Sequence, residues 1–378
     1  MIFGLRVPAL RQNIRTRPSP SAFDGRVFES YLTGEMVKGH IENFIGAVPI
    51  PLGLCGPIDI EGQSAKGRFV VSMATQEGTL VASYSRGAKI INACGGCETL
   101  VYDNYFLRGV QFLTASLKEP HALIEWCRAH EDQIRRLIDP SSCCVTVLDI
   151  FYECPGTTVM VSLQLDTGDA MGSNMATKAA GILSGYVAEK SGLARRVLVL
   201  PYPEDKKFIP VRQKGKKVIA RTVLQEDILA RITRTTLPRL NEFIDNSKSL
   251  LALHGAYALN VHVANGLAAL FQALGQDVAY IAEGAQAVVE SHFLDSGRLA
   301  VSVTLPALIV GTVGAATGLP AFKAALALMD CYGPGKANKL AEIIGAVILA
   351  GEIGCACAQC AFEFIDAHER MGKHRPLT

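Results

Sequence analysis

Apolar and polar positions change period several times along this chain. The run GRFVVSM (67–73) is apolar and β-branched, which predicts a strand. From Leu80 the period becomes helical. Leu80 and Tyr84 turn towards a core, while Thr79, Ser83 and Arg86 fall at i, i+4 and i+7 on one polar face. A helix is expected over HALIEWCRAHEDQIRRLI, then two alternating strands, CCVTVLDIFYE and TTVMVSLQLD. GDAMGSNMATKAAGILSGYVAEK reads as a turn feeding a helix. EDKKFIPVRQKGKKVIARTVL reads as a loop, then a hairpin turned at Lys214-Gly215-Lys216. From Leu224 onward the pattern is mostly helical, with Asn260, His262 and Asn265 decorating a helix of small residues.

Two apolar runs have the length of membrane spans. LAVSVTLPALIVGTVGAATGLP is broken by Pro306 and glycines and reads as a buried strand and loop. IIGAVILAGEIGCACAQCAF carries Glu352 at its middle, where a bilayer would penalise it by a few kcal/mol. Both are expected in a protein core, and the protein is expected to be soluble and cytoplasmic. The first 23 residues hold four arginines and no acid, but Pro8, Pro18 and Pro20 would interrupt an amphipathic targeting helix, so a basic arm is expected there.

Composition adds bounds. A chain of 378 residues, 49% hydrophobic, can bury a large core in two or more domains. A net charge of +2 does not suggest a nucleic-acid partner. The eleven cysteines lie mostly in apolar surroundings, which points to a reducing compartment. Cys94 and Cys97, or Cys355, Cys357 and Cys360, have close spacings. No second CxxC or His pair completes a zinc set nearby, so they read as buried thiols and no metal is expected. There is no GxGxxG after a strand, and YGPGKANK lacks the first glycine and the Ser/Thr of a P-loop. Periodicity and composition alone therefore reach a large α+β enzyme with scattered polar turns. Glu77, Asp169, Asp205-Lys206-Lys207 and Asp277 each also have a plain structural reading as caps or solvated charges.

Taken in order, these stretches resemble one family. MATQEGTLVAS…RG, ENFIGAVPIPLGLCGPI, GDAMGSNM, EDKK, NVHVANGLAALFQALGQD, GTVGAATG and LAGEIG…AH are similar to the motifs of 3-hydroxy-3-methylglutaryl-coenzyme A reductase, class I in type. The membrane anchor of the eukaryotic members is not expected here. The resemblance implies an α+β fold: a large domain around a long central helix (46–109 and 199–378), an inserted ferredoxin-like, non-Rossmann cofactor domain (110–198), and a small helical N-terminal region (1–45). It implies a homodimer or higher oligomer with active sites between subunits, and no nucleic-acid or membrane partner.

By the same resemblance Glu77 is the general acid, Lys206 stabilises the oxyanion, Asp277 couples the two, and His368 protonates the coenzyme A thiolate. The residue types suit the chemistry. Taking a thioester to an alcohol needs two hydrides, a cation facing the carbonyl oxygen, and acids for the alcohol oxygen and the leaving thiolate. An ordinary histidine, with a pKa near ~6.5, suits the last of these. Arg108 would grip the substrate's terminal carboxylate in a bidentate fork. Asp205, Lys207, Lys248 and Asn265 would make further substrate contacts, Ser83 and Arg86 would contact coenzyme A, and Asp169, Met171 and Asn174 would surround NADPH or NADH. Relatives that prefer NADPH carry an arginine where this chain has Cys143, beside Ser141 and Ser142.

Departures from the pattern are local. Val199-Leu200-Pro201 stands where the family has SGN, and Phe208 to Arg212 where it has PAAIN. Gly314-Ala315-Ala316 replaces a glycine run, and Ser173 replaces a methionine. These leave open a paralogue that reduces another acyl thioester, or an idle coenzyme A-binding relative. Retention of Glu77, Lys206, Asp277 and His368 favours the reductase acting on the methylglutaryl thioester.

Overall fold

The computed structural model describes residues 30–139, 145–194, 196–199, 205–207, 209, 214–363 and 365. The chain divides into two compact units at 51/52. Among the described residues of the first, 30–51, there are turns and no helix, which corrects the helical expectation for that part of 1–45. Gly39 and Asn43 take left-handed φ of 84° and 53°, and such residues stop a helix from propagating.

The second unit is a mixed α+β structure. Strands β1 (Leu52–Gly62), β2 (Lys66–Ala74), β3 (Cys97–Leu113), β7 (Gly215–Gln225), β8 (Val288–Asp295) and β9 (Arg298–Leu308) order as β2-β1-β3-β7-β9-β8. The β1–β3 contact is parallel and the other pairings are antiparallel. Strand β3 is long enough to serve two sheets. Its first half pairs with β1 and β7. Its second half, from Phe106, pairs with β5 (Thr158–Asp166) and β6 (Arg196–Val199), while β4 (Thr146–Glu153) pairs with β5. Helices α1 (Leu80–Ala93), α2 (Glu119–Ala129), α3 (Glu131–Ile138) and α4 (Ser173–Lys190) follow in chain order. From the second half of β3 to β6 the chain runs strand, helices, strand, strand, helix, strand, in the antiparallel order β4-β5-β3-β6.

Several expectations change. The single helix expected over 121–138 is two, broken at His130. No hairpin turns at Lys214-Gly215-Lys216: Gly215 opens β7, which runs antiparallel to β3 and β9. The glycine serves close packing, since a Cβ there would meet the Leu308 carbonyl at 2.9 Å. The mostly helical C-terminal part is interrupted by the β8–β9 hairpin, whose apolar run is the buried strand expected. Helices α5 (Glu226–Ile232), α6 (Leu237–Leu253), α7 (Val263–Leu274), α8 (Ile281–Gly284), α9 (Pro320–Leu328) and α10 (Ala337–Cys360) complete this unit. Asn260 and His262 precede α7 rather than decorating it.

Helix α10 is the centre of the core. It is long and apolar enough to cross a membrane by composition, yet it is buried inside the protein. Its small residues let neighbours approach closely. Gly87 of α1 sits against the Ala350 carbonyl, Gly354 against the Ser83 carbonyl, and Gly351 against the Tyr84 ring. Cys355, Cys357 and Cys360 lie on it as buried thiols, and burial pushes the Cys357 thiol up to about 12. Two carboxylates are buried on the same helix. Glu342 accepts the Ser64 and Ala65 N–H groups and the Thr99 hydroxyl. Glu352 accepts the N–H groups of Val261 and His262 at 2.7 and 2.8 Å. Each carboxylate is thereby satisfied by donors from a turn distant in sequence.

This packing makes a contrast between two glycines testable. Gly87→Ala places a methyl group where the Ala350 carbonyl stands and should lower the unfolding free energy by about 1–3 kcal/mol. Gly185→Ala, in α4 with open space around it, should raise it by about 0.5–1 kcal/mol. Denaturant titration of both variants checks the pair, and equal effects would contradict the α1–α10 contact.

Candidate active site

The Asp205–Lys207 loop meets a short segment that begins directly after α7. Gly275 ends that helix with a left-handed φ of 66°, and Asp277 then caps the turn Val278–Tyr280 by accepting the Ala279 N–H at 3.0 Å. The second oxygen of Asp277 lies 2.7 Å from the Lys206 ammonium, which also stands 5.3 Å from the Tyr280 ring centre. Lys206 has a left-handed φ of 57°, a conformation that a side-chain-bearing residue adopts at a cost. Its backbone N–H donates to Glu283 at 2.8 Å.

Behind this loop lies a buried polar network. Asp205 accepts from the Tyr280 hydroxyl at 3.2 Å and pairs with Lys214 at 3.2 Å and Arg108 at 3.5 Å. Burial would raise the Asp205 pKa, but Arg108 and Lys214 outweigh it and hold the carboxyl below its ordinary range. Lys214 pairs with Glu283 at 2.9 Å, and burial pushes the Glu283 carboxyl up despite that partner. The Arg108 side chain is 1% exposed and donates to the Ser173 hydroxyl at 3.0 Å. Its Nε is buried with no hydrogen-bond partner among the described residues. The serine that departs from the family pattern thus touches the arginine expected to grip a carboxylate.

The other half of the expected machinery is on the opening stretch. Glu77 is exposed just ahead of α1 and accepts from the Asn265 amide at 2.7 Å. Thr79, with φ 73°, begins α1. Ser83 and Arg86 are half-buried on it. Arg86 pairs with Glu363 at 3.0 Å and donates to the Gly354 carbonyl at 2.9 Å. Lys248, on α6, pairs with Asp245 at 3.1 Å. Lys207 is exposed in the loop. His368 and Cys143 lie outside the described residues.

The two glycine-rich loops expected around a cofactor come together. Asp169 accepts the Thr312 N–H on its carbonyl at 2.8 Å, and a Cβ on Gly311 would meet the Met171 nitrogen at 2.7 Å. The Asp169 carboxylate is itself occupied, accepting the N–H groups of Gly335 at 2.6 Å and Ala337 at 2.9 Å and so capping α10. Asn174 is exposed in the first turn of α4. That helix has no side-chain cap and no acid in its first turn, so its N-terminal end suits an anionic group. Ala315, a departure from the family glycines, takes a left-handed φ of 47°. The donor set at these loops fits a nicotinamide dinucleotide.

Glu283 and Tyr280 carry no signal in the sequence, and Lys214 reads there only as a turn residue. Each sits in an apolar or basic stretch with no motif spacing, and only the fold brings them to Asp205. Glu283, the fourth residue of YIAEG, stands where a surface helix would carry a solvated charge, and nothing local signals its burial.

Comparison with known proteins follows the same line. Residues 10–373 match the family model described as hydroxymethylglutaryl-coenzyme A reductase. The chain is 34% identical over 348 residues to the 3-hydroxy-3-methylglutaryl-coenzyme A reductase of Methanocaldococcus jannaschii, covering 89% of this chain and 85% of the relative. It is 35% identical over 351 residues to that of Aeropyrum pernix, covering 90% and 83%. The solved class II enzyme of Streptococcus pneumoniae bound to NADPH shares the fold, with a TM-score of 0.72 at 19% identity over 93% of this chain and 96% of that one. The chain belongs to the hydroxymethylglutaryl-coenzyme A reductase family.

Proposed function

We propose that this protein reduces 3-hydroxy-3-methylglutaryl-coenzyme A to mevalonate, an isoprenoid precursor, releasing coenzyme A and consuming two reduced nicotinamides. The observation that carries the reading is the Lys206–Asp277 pair at 2.7 Å, within a family whose members carry that name. A bound reduced nicotinamide supplies the hydride for each step. Lys206 faces the substrate carbonyl oxygen and stabilises the negative charge that develops there, with Asp277 orienting its ammonium. Arg108 takes the substrate's terminal carboxylate, which would satisfy its orphaned Nε. Asp205, Lys207, Lys248 and Asn265 complete the acyl pocket. Glu77 donates to the alcohol oxygen, His368 protonates the departing thiolate, and Ser83 and Arg86 hold coenzyme A. Met171, Asn174 and the backbone braced by Asp169 receive the dinucleotide.

The finer architecture belongs to the same reading. The strand order β4-β5-β3-β6 with its crossing helices supports the reading of a ferredoxin-like unit that serves as the inserted cofactor domain. Burial of the α10 helix and of most of the described free cysteines supports the reading of a soluble, cytoplasmic protein. Loss of reduced-cofactor absorbance with a panel of acyl-coenzyme A esters tests the substrate. Turnover of a different ester alone would move the protein to a paralogous reaction, and no turnover at all would favour the idle binder.

The site is read as shared between two copies of the chain. Asn265, which holds Glu77, stands near the start of α7, and Asp277, which holds Lys206, lies beyond its end. The stretch from Asn265 to Leu274 alone measures about 14 Å at 1.5 Å per residue. The acid and the ammonium in one chain are therefore held at opposite ends of a rigid helix, and a partner subunit would bring the complementary half.

Three measurements follow. Glu77→Gln keeps the hydrogen bonding but cannot donate a proton, and turnover should fall at least ~100-fold with coenzyme A affinity little changed. Co-expression of Glu77→Gln with Lys206→Met chains should restore about one quarter of wild-type activity, because mixed dimers rebuild one intact site in two. Purely additive inactivity would place each site within a single chain. For the cofactor, Cys143 in place of an arginine removes a phosphate pair worth roughly 1.5–3 kcal/mol, so NADH and NADPH should be used with weak discrimination or a lean to NADH. A hundredfold preference for NADPH would implicate Arg136, which is exposed, rather than Arg135, which donates to the Val147 carbonyl.

A further inference from the structure

Two carboxylates from one short segment hold Lys206 at its two ends. Asp277 meets the ammonium at 2.7 Å, and Glu283 meets the backbone N–H at 2.8 Å. The first contact belongs to the expected machinery and the second does not. Glu283 has a side chain only 6% exposed, so its position is set by packing rather than by solvent. Its Oε1 lies 2.9 Å from the ammonium of Lys214, which is equally buried and reaches on to Asp205 at 3.2 Å. The dipeptide Asp205-Lys206 therefore hangs from one buried ion pair, by a side chain at Asp205 and by a main-chain donor at Lys206.

The main-chain contact falls where it is needed. Lys206 is one of few side-chain-bearing residues with left-handed φ, at 57°, and that conformation persists only when surrounding contacts over-determine it. If the backbone relaxed to an ordinary φ, the ammonium would swing away from Asp277, since side-chain direction follows the main chain. From this we infer that Glu283 is a positioning residue: it fixes the left-handed backbone of Lys206 so that the ammonium is presented towards the reacting oxygen. The inference rests on reading Lys206 as the oxyanion-stabilising group.

Glu283→Ala removes the acceptor, and Glu283→Gln keeps an oxygen for the Lys206 N–H while losing the charge. Hydrogen–deuterium exchange of the peptide containing 205–207 reads the backbone directly, with the α10 peptide as a control for the fold. Exchange in Glu283→Ala should rise about tenfold or more at that peptide and not at α10. Its kcat with 3-hydroxy-3-methylglutaryl-coenzyme A should fall about 10–100-fold, the scale of a misplaced catalytic group, with KM changed less than about threefold. Glu283→Gln should recover most of both effects. If the buried Lys214 cation prevents Glu283→Ala from folding, the double variant Glu283→Ala/Lys214→Met removes the cation as well and carries the same expectation for exchange.

Unchanged exchange at 205–207 overturns the inference whatever the activity. Faster exchange with unchanged kcat also overturns it, because the hold would then have no catalytic use. A lowered melting temperature with kcat per folded molecule unchanged would make Glu283 a structural residue only. If wild-type protein fails to reduce the thioester, the functional reading falls, and the exchange comparison still decides whether Glu283 holds Lys206.

Discussion

A carboxylate in the middle of a buried apolar stretch of helix must be met by donors, and Glu352 is met by two backbone N–H groups just ahead of α7. Removing either side of such an arrangement leaves an uncompensated buried group, which costs several kcal/mol. Burial pushes the Glu352 carboxyl up, with His262 and the two N–H groups pulling the other way. The pairing pins α7 to α10. The His262 ring reinforces it against the Gly351 carbonyl at 2.9 Å and packs 5.1 Å from the Tyr84 ring. Everything that α7 carries inherits this register.

Two polar pairs hang from that helix. Asn265 near its start reaches Glu77, and Asp277 just past its end reaches Lys206. Two glycines make the approach possible. Gly266 packs against the Tyr84 ring, and Gly275 turns the chain out of α7 beside Phe322 with a left-handed φ. A rigid helix between two polar pairs gives reproducible separation, which a loop would not.

The loops around the proposed cofactor site obey a similar economy of contacts. Asp169 caps α10 through Gly335 and Ala337 while its carbonyl receives Thr312, so three segments distant in sequence share one residue. Gln276 adds a fourth, exchanging hydrogen bonds with the backbone of Gly311 at 2.9 and 3.1 Å. Helix α10 thus anchors both places: its buried Glu352 sets α7, and its capped start sets the glycine-rich loops.

Much of this was legible in the residues themselves. Periodicity located α1 and its polar face, the β4 and β5 strands and the α4 helix, because a period of 2.0 or 3.6 is imposed by local geometry. The ordered motifs point to Glu77, Lys206 and Asp277 as candidates through the family resemblance. The sequence could not say that Lys214 and Glu283 are buried partners, that the KGKK stretch opens a strand instead of a hairpin, or that Asp169 caps a helix that begins at Ala337. Those facts depend on which segments meet, and a pairing of Lys214 with Glu283 or of Asp169 with Gly335 leaves no local period. Local pattern is written in neighbouring residues, whereas burial of a charge is decided only when the opposite charge arrives from elsewhere in the chain.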